Sequence, residues 1–336
     1  MYKYTLTNAR RTDCPHCGKR GKYSAYMDTM TNMLAPLQYG MCSSCGVYVI
    51  PPDNCMLEDE ATVPGRFDGL YCDADTIDWN EYRHFHNSKG VENSFLLGLV
   101  QRFGVDRVKH VYDLYKLGRF DDDGIMFPYL YTDDHICSVK IMWYDGDLHR
   151  VKEGRKQHPH WLHNLVYKND KGYVTDYRNL EADDDGNEFV SYKLKLCLFG
   201  HNQIVNEQEK TICLVESEKT AIIMSMVFPD FIWLASGGKT LIQDYKFTFF
   251  TGRRCLVFPD LSEDNNVWNY WVKKMTYYSM SLECDFVFID YFSGFLQKDR
   301  ELIGKVKSLS FDPADFVLDF NDGGCYTTWL KNQINK

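Results

Sequence analysis

The strongest indication of the architecture is the stretch Leu214-Val215-Glu216-Ser217-Glu218-Lys219-Thr220-Ala221. An apolar run over residues 211–215 ends in the carboxylate of Glu216, and a second apolar run, 255–258, ends in Pro259-Asp260. Parallel strands that each finish on an acid bring both acids to the carboxyl edge of one sheet, where open α/β sheets bind their ligands. Two carboxylates that meet there can hold magnesium. The pattern therefore predicts phosphoryl chemistry.

Strand and helix patterns alternate from residue 209 onward, which is typical of a parallel sheet with crossover helices. The predicted strands are 211–215, 231–235, 255–258 and 285–289, and the predicted helices are 219–228, 240–246, 266–280 and 300–307. Upstream, residues 93–118 repeat with a helical period, while 125–130 and 136–144 have strand character. The predicted class is therefore a multidomain protein that combines α/β and α+β parts.

Composition describes an ordinary globular chain of 336 residues, long enough for two or three domains. Its net charge of −9 argues against a protein that merely coats nucleic acid. No apolar run reaches the ~20 residues that span a bilayer, and the N-terminus has no apolar signal-peptide core. We expect a cytoplasmic location and no membrane partner. The twelve cysteines then indicate thiols or metal ligands and not disulfides.

Two cysteine pairs near the N-terminus have the spacing of a zinc site, Cys14-Pro15-His16-Cys17 and Cys42-Ser43-Ser44-Cys45. Four thiolates at this spacing suit tetrahedral zinc. The sequence therefore predicts a zinc ribbon that holds one structural Zn²⁺ on Cys14, Cys17, Cys42 and Cys45. Basic residues surround these pairs, and they indicate either a contact with nucleic acid or a solvated surface.

Basic and aromatic residues gather in the middle of the chain, between residues 140 and 163. Charges that follow phosphates and rings that stack on bases are typical of single-strand binding, whereas the competing interpretation is an exposed basic hairpin with Trp161 in the core. After the predicted strand 231–235, a Gly237-Gly238 pair permits a phosphate to approach Lys239. The candidate nucleotide- or nucleic-acid-binding residues are Lys140, Arg150, Lys152, Arg155, Lys156, Trp161 and Lys239.

The order of these motifs resembles a known family, the TOPRIM domain of bacterial-type DNA primases, type IA and II topoisomerases and some nucleases. The resemblance rests on Glu-Ser-Glu-Lys-Thr-Ala, then Ser-Gly-Gly after a strand, then Phe-Pro-Asp, then Asp-Pro-Ala-Asp-Phe. Glu216 matches the family's glutamate, while Asp312 and Asp315 resemble the aspartates that close the domain in primases. The N-terminal zinc ribbon and Leu198-Phe199-Gly200 narrow the resemblance to primases.

The resemblance implies a primase-like nucleotidyltransferase of a phage or mobile element that acts on single-stranded DNA with nucleotides and Mg²⁺ or Mn²⁺. It implies catalytic roles for Glu216, Lys219 and Asp260. Ser262 stands where the family usually has a second aspartate, so we assign the magnesium ligands to Glu216, Asp260 and Asp264. Gly237-Gly238-Lys239-Thr240 lacks the upstream glycine of a P-loop, so a helicase would be a separate protein.

Two alternatives stay open, a TOPRIM nuclease and a non-catalytic single-strand-binding accessory protein of replication or mobilisation. The predicted domains are a zinc ribbon (1–55), a linker or irregular segment (56–90), an α+β primase-like lobe (91–208) and a TOPRIM domain with a Rossmann-like parallel sheet (209–325).

Overall fold

The chain divides into two units, Met1–Leu70 and Tyr71–Lys336. The predicted boundary at 208/209 lies within the second unit, and so do residues 74–85 of the predicted linker. The computed structural model describes residues 4–6, 14, 19–28, 39–45, 48–49, 74–85, 93–120, 123–166, 180–182, 188–190, 192, 194–207, 209–297 and 299–334.

The first unit contains an antiparallel ribbon whose strands pair in chain order. Its strands are β1 (Tyr4–Leu6), β2 (Tyr23–Asp28), β3 (Gly40–Cys42) and β4 (Tyr48–Val49). Tyr23 is fully buried against Cys14 and Cys42. A Cβ at Gly40 would collide with the Tyr23 ring, so the close approach of β3 to this ring requires a glycine.

The second unit begins with a lobe of helices and an antiparallel sheet, ordered β5-β6-β7-β8. The helical pattern predicted over residues 93–118 forms two helices, because Gly104 (φ 83°) ends the first and precedes the second. The elements are α1 (Trp79–Phe85), α2 (Ser94–Phe103), α3 (Val105–Leu114), β5 (Gly118–Phe120), β6 (Gly124–Thr132), β7 (His135–Met142), β8 (His160–Trp161), α4 (His163–Val166), and a hairpin of β9 (Leu180–Ala182) and β10 (Glu188–Val190).

The rest of the second unit is built on a parallel sheet with strand order β12-β11-β13-β14, as the alternating pattern predicted. Its apolar strands form one core with the residues of the helices that cover them. The elements are α5 (Asn202–Asn206), β11 (Ile212–Val215), α6 (Glu218–Val227), β12 (Ile232–Ala235), β13 (Arg254–Val257), α7 (Asn266–Leu282), β14 (Asp285–Phe288), α8 (Arg300–Ser308), α9 (Pro313–Asp319) and α10 (Cys325–Ile334).

One predicted helix, 240–246, is wrong, since the chain forms a 3₁₀ helix over Asp244–Phe250 instead. Residues three apart eclipse one another in a 3₁₀ helix. Phe247 and Phe250 therefore share one face, and both are completely buried in the core of the parallel sheet.

Buried contacts join the lobe to the parallel sheet. The Tyr115 hydroxyl, at the end of α3, lies 2.6 Å from Ser225 Oγ and donates to the Trp233 carbonyl at 2.7 Å. Phe199 stacks on the Tyr115 ring and pairs with Ala235 at the edge of the sheet. Among the described helices, none has both the length and the apolarity to cross a bilayer.

Candidate active site

The carboxyl edge of the parallel sheet carries the two acids on which the sequence analysis centred. Glu216 directly follows β11, and Asp260 comes three residues after β13 ends. These strands are neighbours, with Leu214 opposite Val257. Both acids therefore leave the sheet at the same edge, next to the glycine turn that follows β12.

Neither acid has all its oxygens satisfied by the protein. Glu216 Oε2 and Asp260 Oδ1 are buried, and no described residue donates a hydrogen bond to them. Burial raises the pKa of Asp260 well above its usual value, and the charge of Glu216 raises it further. Burial also raises the pKa of Glu216, although the backbone N–H of Lys239 acts against this shift. Because a buried carboxylate without donors is costly, the pair is suited to a cation.

Lys219 holds a second pair of acids at the start of α9. Its Nζ lies 3.0 Å from Asp315 Oδ1, and the neighbouring Thr220 hydroxyl donates to Asp312 Oδ2 at 2.5 Å. Burial lowers the pKa of Lys219, but Asp312 and Asp315 outweigh burial and the net shift is upward. Asp312 and Asp315 also cap α9 reciprocally. Lys219 thus joins α6 to α9 through an ion pair.

Lys140, predicted to contact nucleotide or template, instead lies inside the protein. Its Nζ is 3.0 and 3.2 Å from the two carboxylate oxygens of Glu218 and donates to the Gly237 carbonyl at 3.2 Å. The Tyr129 hydroxyl also donates to Glu218. Sequence reasoning missed Glu218, because an acid in the first turn of a helix is ordinarily an exposed partner of the helix dipole.

The remaining basic candidates lie outside this cluster. Arg150 and Lys152 are exposed between β7 and β8, and Arg150 donates to the Gln157 carbonyl at 2.9 Å. Lys156 is half-buried in the same segment, while the side chain of Arg155 lies outside the described residues. Trp161 on β8 is half-buried opposite Lys140, with its ring 5.7 Å from that of Tyr129.

Lys239 and Asp264 both interact with Asn266, the first residue of α7. The half-buried Lys239 donates through its ammonium to the Asn266 side chain, and the exposed Asp264 accepts the Asn266 backbone N–H at 3.0 Å. Asp264 therefore stabilises the first turn of α7. The acid that shares a cavity wall with Asp260 is Asp290, which follows β14. Asp290 directly follows the predicted strand 285–289, just as Glu216 follows 211–215, and this position is the sequence signal that identifies it.

The acidic edge fits a cation held by two protein carboxylates. Within the described residues, the one group of three or more His, Cys, Asp or Glu ligand atoms lying within 4.8 Å of one another is Cys14, Cys42 and Cys45. Magnesium is usually bound by one or two carboxylates, with water and substrate phosphates completing its shell. Glu216 and Asp260, with their unpartnered oxygens, meet that requirement.

The cysteine cluster has the chemistry of a zinc site. Cys14 and Cys45 lie with their sulfurs 3.8 Å apart. The backbone N–H groups of Cys45 and Ser44 lower the pKa of Cys42 to about 6, which favours the thiolate that binds metal. Cys17, the fourth predicted ligand, lies outside the described residues.

A comparison with protein families bears on the N-terminal cysteine pairs. Residues 2–60 match the family model of a zinc beta-ribbon finger. This match and the three-cysteine cluster support a structural zinc ion.

Two solved structures resemble the chain distantly. One is the primase fragment of the bacteriophage T7 primase-helicase protein, with 12% identity and a TM-score of 0.34, covering 90% of this chain and 100% of that chain. The other contains the zinc-binding and RNA polymerase domains of the Aquifex aeolicus primase, with 11% identity and a TM-score of 0.39, covering 100% of this chain and 79% of that chain. No curated protein matches the chain.

One family model spans the lobe from α2 onward and three of the four strands of the parallel sheet, β11, β12 and β13. It matches residues 93–261, from the residue that caps α2 to the residue after Asp260. It is described as a domain of unknown function, DUF6371. Since the match covers half of the 336 residues, the chain belongs to the DUF6371 family.

Proposed function

We propose that this chain is a DNA primase-like nucleotidyltransferase of a phage or mobile element, which joins ribonucleotides on single-stranded DNA with Mg²⁺ or Mn²⁺. One observation carries the proposal. Two carboxylates at the carboxyl edge of a parallel sheet, Glu216 and Asp260, each have a buried oxygen that no described donor satisfies. The surrounding motifs resemble the TOPRIM domain of primases, and this resemblance is the reason that we propose nucleotidyl transfer for the two carboxylates.

In this proposal Glu216 and Asp260 hold the cation. A divalent ion bound there would neutralise phosphate charge and orient the reacting groups. Lys219 positions the site, because its ion pair with Asp315 fixes α9 against α6 beside the two acids. Asp264 is a weaker candidate ligand than the sequence suggested, since its carboxylate already accepts the Asn266 backbone N–H.

Single-stranded DNA would contact the exposed segment between β7 and β8. We assign phosphate contacts to Arg150, Lys152, Arg155 and Lys156, base stacking to Trp161, and a contact with the nucleotide phosphates to Lys239. Lys140 is left out of this set, because contact with a ligand would require it to leave Glu218. A separate helicase is the expected protein partner.

A second candidate function is a non-catalytic single-strand-binding accessory protein. It is favoured by Ser262, whose hydroxyl accepts the Val267 backbone N–H at 3.4 Å where the resembled family has an acid. A nuclease would use the same two carboxylates, with water as the nucleophile. The primase and the nuclease would use the same site and differ in product, whereas the accessory protein would need only to bind single strands.

The deciding experiment incubates the protein with single-stranded DNA, labelled ribonucleotides and magnesium, and resolves the products on a gel. Synthesis supports the primase proposal, and cleavage supports the nuclease. DNA binding without either product supports the accessory protein. Glu216→Gln keeps the shape of the side chain and removes its charge, so it should abolish metal-dependent activity. Glu301→Gln, an exposed acid in the first turn of α8, is the matched control and should retain full activity.

A further inference from the structure

A cavity of about 260 Å³ opens beside Asp260, on the side of β13 that faces β14. Asp260 and Ser262 line it from the loop after β13, and Asp290 and Phe292 line it from the loop after β14. Trp268 on α7 and Lys307 on α8 form further walls. Asp260 is therefore common to the acidic edge and to this cavity, which no motif in the sequence indicated.

Two aromatic rings give the cavity flat walls. The half-buried Trp268 packs on Phe288, with the ring centroids 5.2 Å apart, and the half-buried Phe292 packs on Tyr291 at 5.8 Å. Lys307 lies with its Nζ 5.9 Å from the centre of the Phe292 ring. Each ring is thus held by a neighbour before any ligand arrives. Rings held in this way suit a flat heterocycle, because every nucleobase offers a face for stacking.

The polar groups of the cavity mostly accept hydrogen bonds. Asp290 is fixed by the backbone N–H groups of Phe292 and Ser293 and by the Ser293 hydroxyl, which leaves acceptor capacity on its oxygens. Asp260 Oδ1 has no donor among the described residues. Lys307 is the cation on the wall, and it donates to Asn265 Oδ1 at 2.8 Å. Two carboxylates against one lysine disfavour an anion inside and favour a neutral group rich in N–H and O–H donors.

We propose that this cavity binds the nucleoside part of a nucleotide, with the base against Trp268 and Phe292 and its amino or sugar hydroxyl groups donating to Asp290. The volume lies below the ~300–1,000 Å³ of sites for drug-sized ligands, which suits one nucleoside and no second unit. The position of the phosphates rests on the proposed function, because they would reach the metal held by Asp260. Recognition of the nucleoside requires no metal.

The test uses the four ribonucleosides and their 2′-deoxy forms as probes, titrated into the full chain in magnesium-free buffer and followed by calorimetry and ligand-observed NMR. At least one ribonucleoside should bind, and Trp268→Leu and Phe292→Leu should each weaken that binding about tenfold, within the range of a lost stacking contact. These substitutions lie on separate elements, so misfolding of one variant leaves the other as a test. Lys305→Met, an exposed lysine on the same helix as Lys307, should have no effect.

The outcomes separate this proposal from the proposed function. Absence of binding by every nucleoside, or unchanged affinity in both folded aromatic variants, would overturn the cavity assignment even if the protein synthesises primers. Conversely, the protein could bind nucleosides in a way that depends on Trp268 and yet neither synthesise nor cleave nucleic acid. That result would support the cavity assignment and contradict the catalytic proposal.

Discussion

Lys140 and Glu218 form a buried ion pair that links the antiparallel sheet of the lobe to the helix that follows β11 of the parallel sheet. Their side chains are 10% and 2% exposed, and Nζ lies 3.0 Å from Oε1. Lys140 is on β7 of the antiparallel sheet, whereas Glu218 is the first residue of α6, two positions after Glu216. The place of Glu216 at the sheet edge is therefore fixed in part by a residue of the lobe.

Lys140→Met should destabilise the protein by about 3–5 kcal/mol, because it leaves the Glu218 carboxylate buried without its cation. The double variant Lys140→Met/Glu218→Gln should recover part of that loss. Urea unfolding of the wild type, both single variants and the double variant measures the coupling. The exposed Arg102–Asp147 pair provides a control, since Arg102→Met should cost about 0–1 kcal/mol. A loss of that small size for Lys140→Met would contradict the buried pair.

Asp260→Asn should stabilise the metal-free protein at neutral pH. The pKa of Asp260 is higher in the folded protein than in the unfolded chain, so ionisation of Asp260 lowers the free energy of unfolding. This loss of stability grows as pH rises from the unfolded-state pKa to the folded-state pKa. Each kcal/mol recovered should raise Tm by about 2–4 °C. Magnesium should raise Tm of the wild type and have little effect on Asp260→Asn. Equal stabilisation of both proteins by magnesium would show that Asp260 is not a magnesium ligand. Asp134→Asn, in an exposed turn, is the control.

We expect one zinc ion per chain, bound by Cys14, Cys17, Cys42 and Cys45. Cys42→Ser with Cys45→Ser should remove it, as measured by elemental analysis. Structural zinc supplies the folding energy of its own small domain. The main thermal transition, which we assign to residues 71–336, should therefore persist in this variant. A full complement of zinc in the double variant would show that the ion binds elsewhere.

Arg150→Ala with Arg155→Ala should weaken binding to single-stranded DNA. When a phosphate contact is lost, binding releases fewer counterions from the DNA. The slope of log K against log salt should therefore decrease in magnitude by about 0.7 per contact. Fluorescence anisotropy over a range of salt concentrations gives both quantities. Lys109→Ala, an exposed lysine on α3, is the matched control. Wild-type affinity and slope in the double variant would identify the segment as an ordinary solvated loop.

Acid should destabilise the fold between pH 6.5 and about 4. Burial lowers the pKa of His163 and of His201 to about 4. Unfolded histidine binds a proton already near pH 6.5, so stability is complete above that value and is lost as pH falls toward 4. His201→Phe, placed between Tyr131 and Phe249, should reduce this loss in calorimetric scans. His149→Phe at an exposed site should leave the pH profile unchanged, and a profile unchanged in His201→Phe would contradict the assignment.

The sequence predicted the parallel sheet well, because its strands are short apolar runs that end on acids and glycines. Each of its four predicted strands is present with its ends shifted by at most one residue. The contacts between distant segments were not predictable in this way. Lys140 has the same local signature as an exposed basic residue, and its burial depends on Glu218 in a segment that carries no sign of the pairing. The cavity beside Asp260 likewise needs the loops after β13 and β14 to meet.

The order in which a ribosome delivers Lys140 and Glu218 gives their pair a further consequence. Lys140 emerges 78 residues before Glu218, which at typical rates of synthesis is about 4 to 16 seconds. During that interval the antiparallel sheet cannot close over the lysine without burying an uncompensated positive charge. The face of the lobe that carries Lys140 is therefore expected to stay solvated until the start of α6 leaves the tunnel. The antiparallel sheet and the parallel sheet, which this ion pair connects through α6, are therefore expected to complete their folding together.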